Sequence, residues 1–465
     1  MHKRLALLPG LLLALFFADA APALELSGLP FAVKTDGANQ AQFEQVLTPK
    51  VAQLNKVAKE IEQLNRVGEL VKPSAELLEL LQLCEQWQTQ LHNAFSCRLG
   101  ALQKDWQAAE LKGELPDRAA LRQKARIHLR LQWQADKTAV RFSSDAKNEG
   151  LQLDLLGLWQ GWALDRLAAE VRRISVEQKL ELDKVSLSYG DLVLVLGNAD
   201  LHTVTLTGSP PVPLHLDKQT LAVLDRQHNL RKVGHYSLSR NLVPKEGWPV
   251  EFAPSVLVRA PSAIQAGVMG QALLALPIAA ALEQADKVTG VEALAITETG
   301  TFFASQDWYS GQENNGSSPW NQGQRFQIDY EIPALDVAEY RRPYLAIWIT
   351  DKEGKSIRQL QLLGDGARWL RELRSWWRKV GRADDSLIDA LAGATRKPGR
   401  YTLEWDGRDA HGNFVAQGNY QLHIEVAREH GEHESLMLPF SLTSNALKKT
   451  VEGSKEIGAV TVILH

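Results

Sequence analysis

The sequence predicts two domains, an α+β domain followed by a mostly β, sandwich-like domain. Three observations predict this division. Helical and strand periodicities alternate up to about residue 305, turn-forming residues fill 311–319, and short alternating strands dominate beyond them. A length of 465 residues is typical of two to three domains. We assign 26–305 to the first domain, 306–322 to a linker, 323–445 to the second domain and 446–465 to a C-terminal tail.

The N-terminus has the pattern of a secretory signal peptide. Lys3 and Arg4 precede an apolar run over 5–17, and small residues follow over 18–23. The run is shorter than the roughly 20 residues that a membrane-spanning helix needs. We therefore expect 1–23 to be cleaved and the mature protein to be periplasmic, without insertion into the membrane.

Charge and cysteine content limit the partners and the disulfide bonds that we expect. A formal net charge of -3 gives no sign of a nucleic-acid partner. The chain has two cysteines, Cys84 and Cys97, which is too few for a disulfide framework. Export would allow them to pair, but Cys84 lies inside a predicted helix. We expect two separate buried thiols.

The first domain begins with helices. Apolar residues spaced by three to five predict a helix over 42–71 that bends near Pro49, and Ser74 followed by Glu76 predicts the start of a second. Alternation predicts a strand over 127–131, and 151–169 predicts a strand, a glycine turn and a helix. The remaining predicted elements are strands over 182–206, 255–259 and 293–296 and a buried small-residue helix over 267–282.

The second domain shows alternating strands with Asp-Gly and Gly-Asn turns, which favours a β-sandwich. The predicted strands are 325–332, 344–350, 357–363, 401–405 and 420–427. One predicted helix combines tryptophans with a basic group of Arg368, Arg371, Arg374, Arg378 and Lys379. This pattern fits either an amphipathic helix whose basic face lies in solvent or a binding site for phosphate or an acidic partner.

A segment of the first domain resembles a known family. Residues 154–166, D-L-L-G-L-W-Q-G-W-A-L-D-R, are similar to the D-L-G-G-I-A-K-G-Y-A-V-D-R signature of the FAD:protein FMN transferases, the ApbE-type enzymes. Further similar segments follow the family's order at 93–97, 189–191, 240–250, 260–263 and 292–296. The resemblance covers about 26–305. It implies an α+β fold and a metal-dependent transfer of FMN from FAD to a Thr or Ser hydroxyl of an exported protein.

The chain departs from this family at the positions of the metal ligands and of a signature lysine. The resemblance places Gly267 and Gln271 where the family has the Asp and Thr metal ligands, and Gln160 where it has a Lys. Divalent cations need hard oxygen ligands, so we expect no Mg²⁺ site and an inactive domain. The resemblance implies a vestigial site for FMN or FAD at Asp154, Gly157, Gly161, Gly190 and Asp191.

A segment of the second domain resembles the acceptor motif that these transferases modify. Residues 389–395, D-A-L-A-G-A-T, are similar to D-x-x-[ST]-G-A-[ST], with Ala392 replacing Ser or Thr. The candidate covalent FMN acceptor is therefore Thr395, accompanied by Asp389, Gly393 and Ala394. A simple helix stop would explain the same residues. The surrounding 340–440 resembles a periplasmic domain family of unassigned function, DUF2271.

These resemblances imply an exported flavin-associated protein. In the favoured interpretation Thr395 carries covalent FMN for extracytoplasmic electron transfer. A separate FMN transferase attaches the flavin, and an extracytoplasmic or membrane redox partner exchanges electrons with it. Two alternatives remain, an active FAD:protein FMN transferase and a scaffold or binding module without flavin. An open space at Gly157 and Gly190 would favour a retained cleft, whereas Trp159 and Tyr189 filling that space would favour a scaffold.

Overall fold

The structure is a computed structural model that describes 31–34, 40–180, 182, 185–197, 202–207, 209–214, 216–250, 254–309, 325–337, 339–364, 367–382, 385–443 and 445–465. The signal peptide expected over 1–23 and most of the expected linker, 310–322, lie outside these residues. The described residues divide into two compact units. The first takes in those within Met1–Thr207, Pro211–Ala295 and Ala304–Trp308, and the second those within Gly208–Pro210, Ile296–Phe303 and Tyr309–His465.

The first unit combines helices with a seven-stranded sheet. Its described helices are α1 Gln40–Val67, α2 Ala75–Gln90, α3 Gly100–Lys112, α4 Arg118–His128, α5 Ser144–Asn148, α6 Leu156–Gln178, α7 Ala263–Leu274 and α8 Ile278–Asp286. Its described strands are β1 Phe31–Lys34, β2 Glu69–Val71, β3 Trp133–Ala135, β4 Ala139–Phe142, β5 Ser186–Tyr189, β6 Leu192–Val195, β7 His202–Val204, β8 Val212–Leu214, β9 Thr220–Leu224, β10 Leu230–Val233, β11 Tyr236–Ser239 and β12 Ser255–Ala260, together with most of β13 Glu292–Ile296 and the last residue of β14 Phe302–Ala304.

Seven strands form the main sheet in the order β1-β5-β6-β9-β12-β13-β14, and smaller sheets join β2, β4 and β3, β7 and β8, and β10 and β11. Helices α6 and α7 pack against each other and contact strands of the main sheet. Strand β12 is buried along its whole length, and α7 buries nine of its 12 residues. A helix and a strand without a polar face must lie inside a domain, so this pair forms the centre of the unit.

Most helix predictions for this unit are confirmed. The helix predicted over 42–71 is α1, with Pro49 inside it, although Glu69–Val71 form strand β2 instead. The second is α2, whose Ser74 Oγ accepts a hydrogen bond from Leu77 N at 3.1 Å. The helix predicted over 267–282 is split into α7 and α8, with Pro277 at the start of α8.

The strand predicted over 127–131 is wrong, because Ile127 and His128 end α4 and Leu129 and Arg130 form the turn that follows. Asp117 caps this helix by accepting from Ala120 N at 2.7 Å, and its inner face is formed by Leu121, Ala125 and His128. This spacing of four and three is helical, although a histidine and an alanine make it weakly apolar. The segment over 151–155, expected to begin as a strand, has no strand either.

The expectation of two separate thiols is also wrong, because Cys84 and Cys97 form a disulfide with their Cα atoms 6.1 Å apart. After α2 the chain turns through positive φ angles at His92 and Asn93 and runs back along the helix. Both cysteines are fully buried. The return of the chain therefore brings together two side chains that the sequence pattern treats as independent core residues.

The second unit is built from two antiparallel-paired sheets that share one apolar core. Its described elements are β15 Phe326–Ile332, β16 Tyr344–Asp351, β17 Ser356–Leu363, α9 Ala367–Leu370, α10 Arg374–Trp376, a π-helical turn Trp377–Gly381, α11 Asp385–Leu391, β18 Ala392–Gly393, β19 Gly399–Trp405, β20 Gly418–Ala427, β21 His433–Leu442, β22 Leu447–Val451 and β23 Val460–Leu464. One sheet has the order β19-β15-β23-β22 and the other β18-β17-β16-β20-β21, with the two-residue strand β18 parallel to β17.

The shared core draws on both sheets, for example Phe326 and Val462 from the first and Ile347 and Ile424 from the second. The predicted sandwich-like fold is thus confirmed. The tail expected over 446–465 is wrong, since β22 and β23 lie there and β23 pairs with β15 along five residues. The alternation Val460, Val462, Leu464 fills the core, so these last residues belong to the sandwich.

The outer face of the five-stranded sheet is covered by α9, α10 and the π-helical turn. The predicted single basic helix is therefore wrong, since the segment forms three short elements. The fully buried carboxylate of Glu425 on β20 anchors this covering segment. It accepts hydrogen bonds from Ser375 N at 2.8 Å and from Trp376 N at 2.7 Å. His433 Nε2 lies 2.5 Å from the same carboxylate. Trp376 Nε1 donates to Gln359 Oε1 at 2.9 Å. No described helix is long and apolar enough to span a bilayer.

Removing the disulfide should lower the free energy of unfolding by roughly 3 kcal/mol, since the bridge closes a loop of about 14 residues between Cys84 and Cys97. We expect Cys84→Ser with Cys97→Ser to show this loss in urea denaturation. Thiol labelling of the denatured wild type should modify neither cysteine before reduction and both after it. Labelling of unreduced protein would contradict the bridge.

Replacing Glu425 should loosen the cover of the five-stranded sheet. Glu425→Ala removes the acceptor of two backbone donors, and breaking such a buried charged network costs about 3 kcal/mol. Glu452→Ala is a matched control, because Glu452 is exposed, and its change should stay within about 0.5 kcal/mol. Equal urea midpoints for the two variants would show that Glu425 does not anchor the cover.

Candidate functional site

The structure brings several sequence-predicted site residues together where α6 crosses α7. Gly161 on α6 lies against the backbone of Ala263, so closely that a Cβ atom at Gly161 would overlap its carbonyl oxygen. Asp165, one turn further along α6, accepts from Ala263 N at 2.8 Å and Ile264 N at 3.1 Å. The carboxylate thereby caps the first turn of α7, where the helix dipole favours negative charge. Burial nevertheless raises the pKa of Asp165.

The two positions expected to have lost metal ligands, Gly267 and Gln271, face Gly157 at the start of α6. A Cβ atom at Gly267 would lie 2.9 Å from the carbonyl oxygen of Gly157, so this position has no room for a side chain unless the backbone moves. The amide of Gln271 fills the space beside Gly157, because a Cβ there would overlap it. The expected ligand positions are thus occupied by a helix contact and an amide.

Gly190, in the turn between β5 and β6, is covered by Gln160. With a φ of +56° Gly190 adopts a conformation that favours glycine, and a Cβ atom there would lie 2.7 Å from Gln160 Nε2. Beneath this turn Tyr189 packs in the core, with its ring 4.2 Å from Phe31 and 5.5 Å from Trp159. Tyr189 and Trp159 are 7% and 6% exposed. Side chains of this chain therefore occupy the space beside both glycines.

Two further vestigial positions carry carboxylates. Asp154 precedes α6, and its backbone N donates to Cys97 O at 2.8 Å, which ties the signature segment to the disulfide loop. Asp191 is exposed, yet surrounding protein atoms desolvate its carboxyl and raise its pKa to about 6, against the opposing charge of His228.

The crossing of α6 and α7 does not fit a metal-bound pyrophosphate. Among the described residues no group of three or more His, Cys, Asp or Glu side chains could hold a metal ion. The side-chain atoms that a Cβ at Gly157 or Gly190 would meet first belong to the neutral Gln271 and Gln160. Neutral amides offer weak ligands to Mg²⁺, which prefers carboxylate and phosphate oxygens, and they carry no positive charge for an anion.

The acceptor candidate lies in the second unit. Gly393 forms part of β18, where Gly364 N donates to Gly393 O at 2.9 Å, and this bond fixes the chain to the rim of the five-stranded sheet. Ala394 is exposed and Thr395 half-buried in the loop that follows. Within the described chain the Thr395 hydroxyl makes no hydrogen bond. Asp389 lies on α11, and its side chain is outside what the structure describes.

The loop after Thr395 is held by two tyrosines of the other sheet. Arg396 Nη1 donates to Tyr330 Oη at 3.0 Å, and its guanidinium lies 4.7 Å from the ring centroid of Tyr401. Tyr330 Oη donates to Gln361 Oε1 at 2.6 Å, and Tyr401 Oη donates to Lys397 O at 2.7 Å. Sequence reasoning missed these residues. The sequence signal that could have pointed to this loop is the basic pair Arg396 and Lys397, which directly follows Gly-Ala-Thr.

The basic group on the covering segment points to solvent. Arg368, Arg371, Arg374, Arg378 and Lys379 are all exposed. Two of them lie over half-buried tryptophans, Arg368 at 4.9 Å from Trp369 and Arg371 at 5.4 Å from Trp377. Leu370, Leu373 and Trp376 pack inward. The prediction of a packed apolar face and a solvated basic face is confirmed, although on short elements.

Structural neighbours of the first unit are ApbE proteins. The ApbE protein of Thermotoga maritima matches with a TM-score of 0.50 and 14% identity over 62% of this chain and 97% of its own. The apo flavinyl transferase ApbE of Pseudomonas stutzeri matches with a TM-score of 0.49 and 16% identity over 62% of this chain and 95% of its own. At these identities the first similarity shows the fold alone. No match is found among curated proteins.

Family models account for both units. Residues 325–459 match the family described as predicted periplasmic protein (DUF2271). Residues 28–295 match the ApbE family, and this match covers more than half of the 465 residues. The chain belongs to the ApbE family, with a DUF2271 region after the ApbE-like part.

Proposed function

We propose that this protein is a periplasmic flavoprotein in which Thr395 carries covalent FMN and the ApbE-like unit does not transfer flavin. The observation that carries the proposal is the position of Thr395, a half-buried residue whose hydroxyl makes no hydrogen bond in the described chain. A hydroxyl without a protein partner is free to form a new bond. The proposal places the protein in extracytoplasmic electron transfer.

Loss of transferase activity is supported by the crossing of α6 and α7. Metal-assisted phosphoryl transfer depends on the ion and on positioned charges. Gly267 has no side chain and no room for one, and Gln271 and Gln160 cover Gly157 and Gly190. Gln271 and Gln160, rather than Trp159 and Tyr189, fill the space beside the two glycines, and this filling favours a scaffold role for the unit over a retained cleft.

The acceptor role is supported by the surroundings of Thr395. Ala394 is exposed, and a Cβ atom at Gly393 would meet Leu363 only at an ordinary 3.6 Å, so no bulky group crowds the chain before the threonine. The modification joins Thr395 Oγ1 to the phosphorus of FMN, and AMP leaves from FAD while the hydroxyl proton is released. A separate FMN transferase supplies this step. Bound FMN would accept and release electrons for an extracytoplasmic or membrane partner.

A second candidate keeps the ApbE family activity, with the second unit as the substrate of the first. The family membership favours it. Both candidates place FMN on Thr395, and they differ in whether the purified chain transfers FMN without another enzyme. A third candidate, a scaffold without flavin, leaves Thr395 unmodified.

Coexpression with an active FMN transferase should add one FMN to the exported protein, detected by intact mass and visible absorbance. Thr395→Ala should abolish the adduct, whereas Thr395→Ser, which keeps a hydroxyl, should retain it. An adduct of equal yield in Thr395→Ala would show that another residue is the acceptor. Unmodified wild type would refute the acceptor role.

The purified chain, given FAD and Mg²⁺, should release no AMP and gain no FMN, because the metal positions hold no suitable ligand. Gly267→Asp should not restore activity, and it should destabilise the protein by roughly 3 kcal/mol through overpacking against the Gly157 carbonyl. AMP release is followed by chromatography and stability by urea denaturation.

The control for that assay is the same chain incubated with an active FMN transferase, which shows that the acceptor and the reagents are competent. AMP release by the chain alone, together with an adduct on Thr395, would restore the catalytic interpretation.

A further inference from the structure

We propose that Arg396 is the residue that binds the phosphate group of a flavin attached at Thr395. The inference rests on the proposed function and names the anion-binding group of that same site. Its basis is the geometry of one cation that stands next to the acceptor in the chain, is held in place by aromatic residues, and has no acidic partner in the part of the chain that the structure describes.

The Arg396 guanidinium is oriented before any ligand arrives. It donates through Nη1 to Tyr330 Oη and lies over the ring of Tyr401. Because Tyr330 Oη donates its own proton to Gln361 Oε1, its lone pairs point to the arginine. A hydrogen bond and a ring contact fix the plane of the guanidinium, which reduces the entropy lost when it binds an anion.

Within the part of the chain that the structure describes, this orientation leaves most of the donors of Arg396 unused. An arginine side chain has five N–H donors, and Arg396 gives one of them to Tyr330. By contrast, Arg400 on the following strand pairs with Glu331 at 3.2 Å. Burial raises the pKa of Tyr330 to about 12, so its hydroxyl stays neutral and does not neutralise the arginine. The positive charge of Arg396 therefore remains available.

The acceptor and the cation are held by one loop. Their Cα atoms are about 3.8 Å apart as sequential residues, and Tyr401 Oη fixes the carbonyl of Lys397 immediately after them. A phosphate joined to Thr395 Oγ1 is a diester with one negative charge. Charge-assisted bonds from guanidinium to phosphate oxygens are about twice as strong as neutral ones, so Arg396 is suited to hold this group near the rim of the sheet.

The experiment measures binding of free FMN and of riboflavin, which lacks the phosphate, to the unmodified full chain by fluorescence quenching. Wild type should bind FMN about ten-fold more tightly than riboflavin, as expected for one charge-assisted contact. Arg396→Gln should bring this ratio close to one, and Arg396→Lys should retain part of it. Arg400→Gln is the matched control and should keep the wild-type ratio. Thermal unfolding of each variant verifies that it folds.

A wild type without preference for FMN, or an unchanged ratio in Arg396→Gln, would overturn the inference. In parallel, a separate FMN transferase is added to each variant and adduct formation is followed by intact mass. Adducts on wild type with an unchanged binding ratio in Arg396→Gln would leave the proposed function standing and remove the role of Arg396. No adduct on wild type, with an FMN preference that needs Arg396, would remove the acceptor role and leave an anion site.

Discussion

The close approach of α6 and α7 is the constraint on which the first unit depends. Gly157, Gly161 and Gly267 allow the two helices to meet at backbone distance, and Asp165 ties the start of α7 to α6. A side chain at Gly161 or Gly267 would push the helices apart, because it would meet backbone atoms, and α7 contacts strands β6, β9 and β12 of the main sheet. Packing thus accounts for these glycines without any ligand.

The two candidate sites differ in how their polar groups are satisfied. The amide of Gln271 fills the space beside Gly157, and the amide of Gln160 fills the space beside Gly190. At Thr395 the chain supplies a hydroxyl and, next to it, an arginine oriented by Tyr330 and Tyr401. At the first site side chains of the protein fill the space, whereas at the second most donors of Arg396 have no partner among the described residues. This contrast, more than either motif alone, divides the roles of the two units.

The sequence predicted what depends on local periodicity or on a long motif. Helices α1 and α2, the buried strand β12 and the sandwich were correctly predicted for this reason. It failed where the outcome depends on how distant segments meet. Cys97 reaches Cys84 only because the chain reverses at His92 and Asn93, and β23 is recognisable as a strand of the core only through its pairing with β15. The glutamines over Gly157 and Gly190 likewise come from packing that no spacing rule gives.

The shortness of β18 has a consequence for the behaviour of the protein in solution. β18 is an outer strand of the five-stranded sheet and pairs at only two positions, Leu362 with Ala392 and Leu363 with Gly393. A long uncovered edge would offer a row of free backbone groups to another chain, and two residues offer very few. The opposite edge, β21, carries Pro439, which lacks a backbone donor. The part of this edge that β18 forms, next to the Thr395 loop, therefore offers few backbone groups for strand addition.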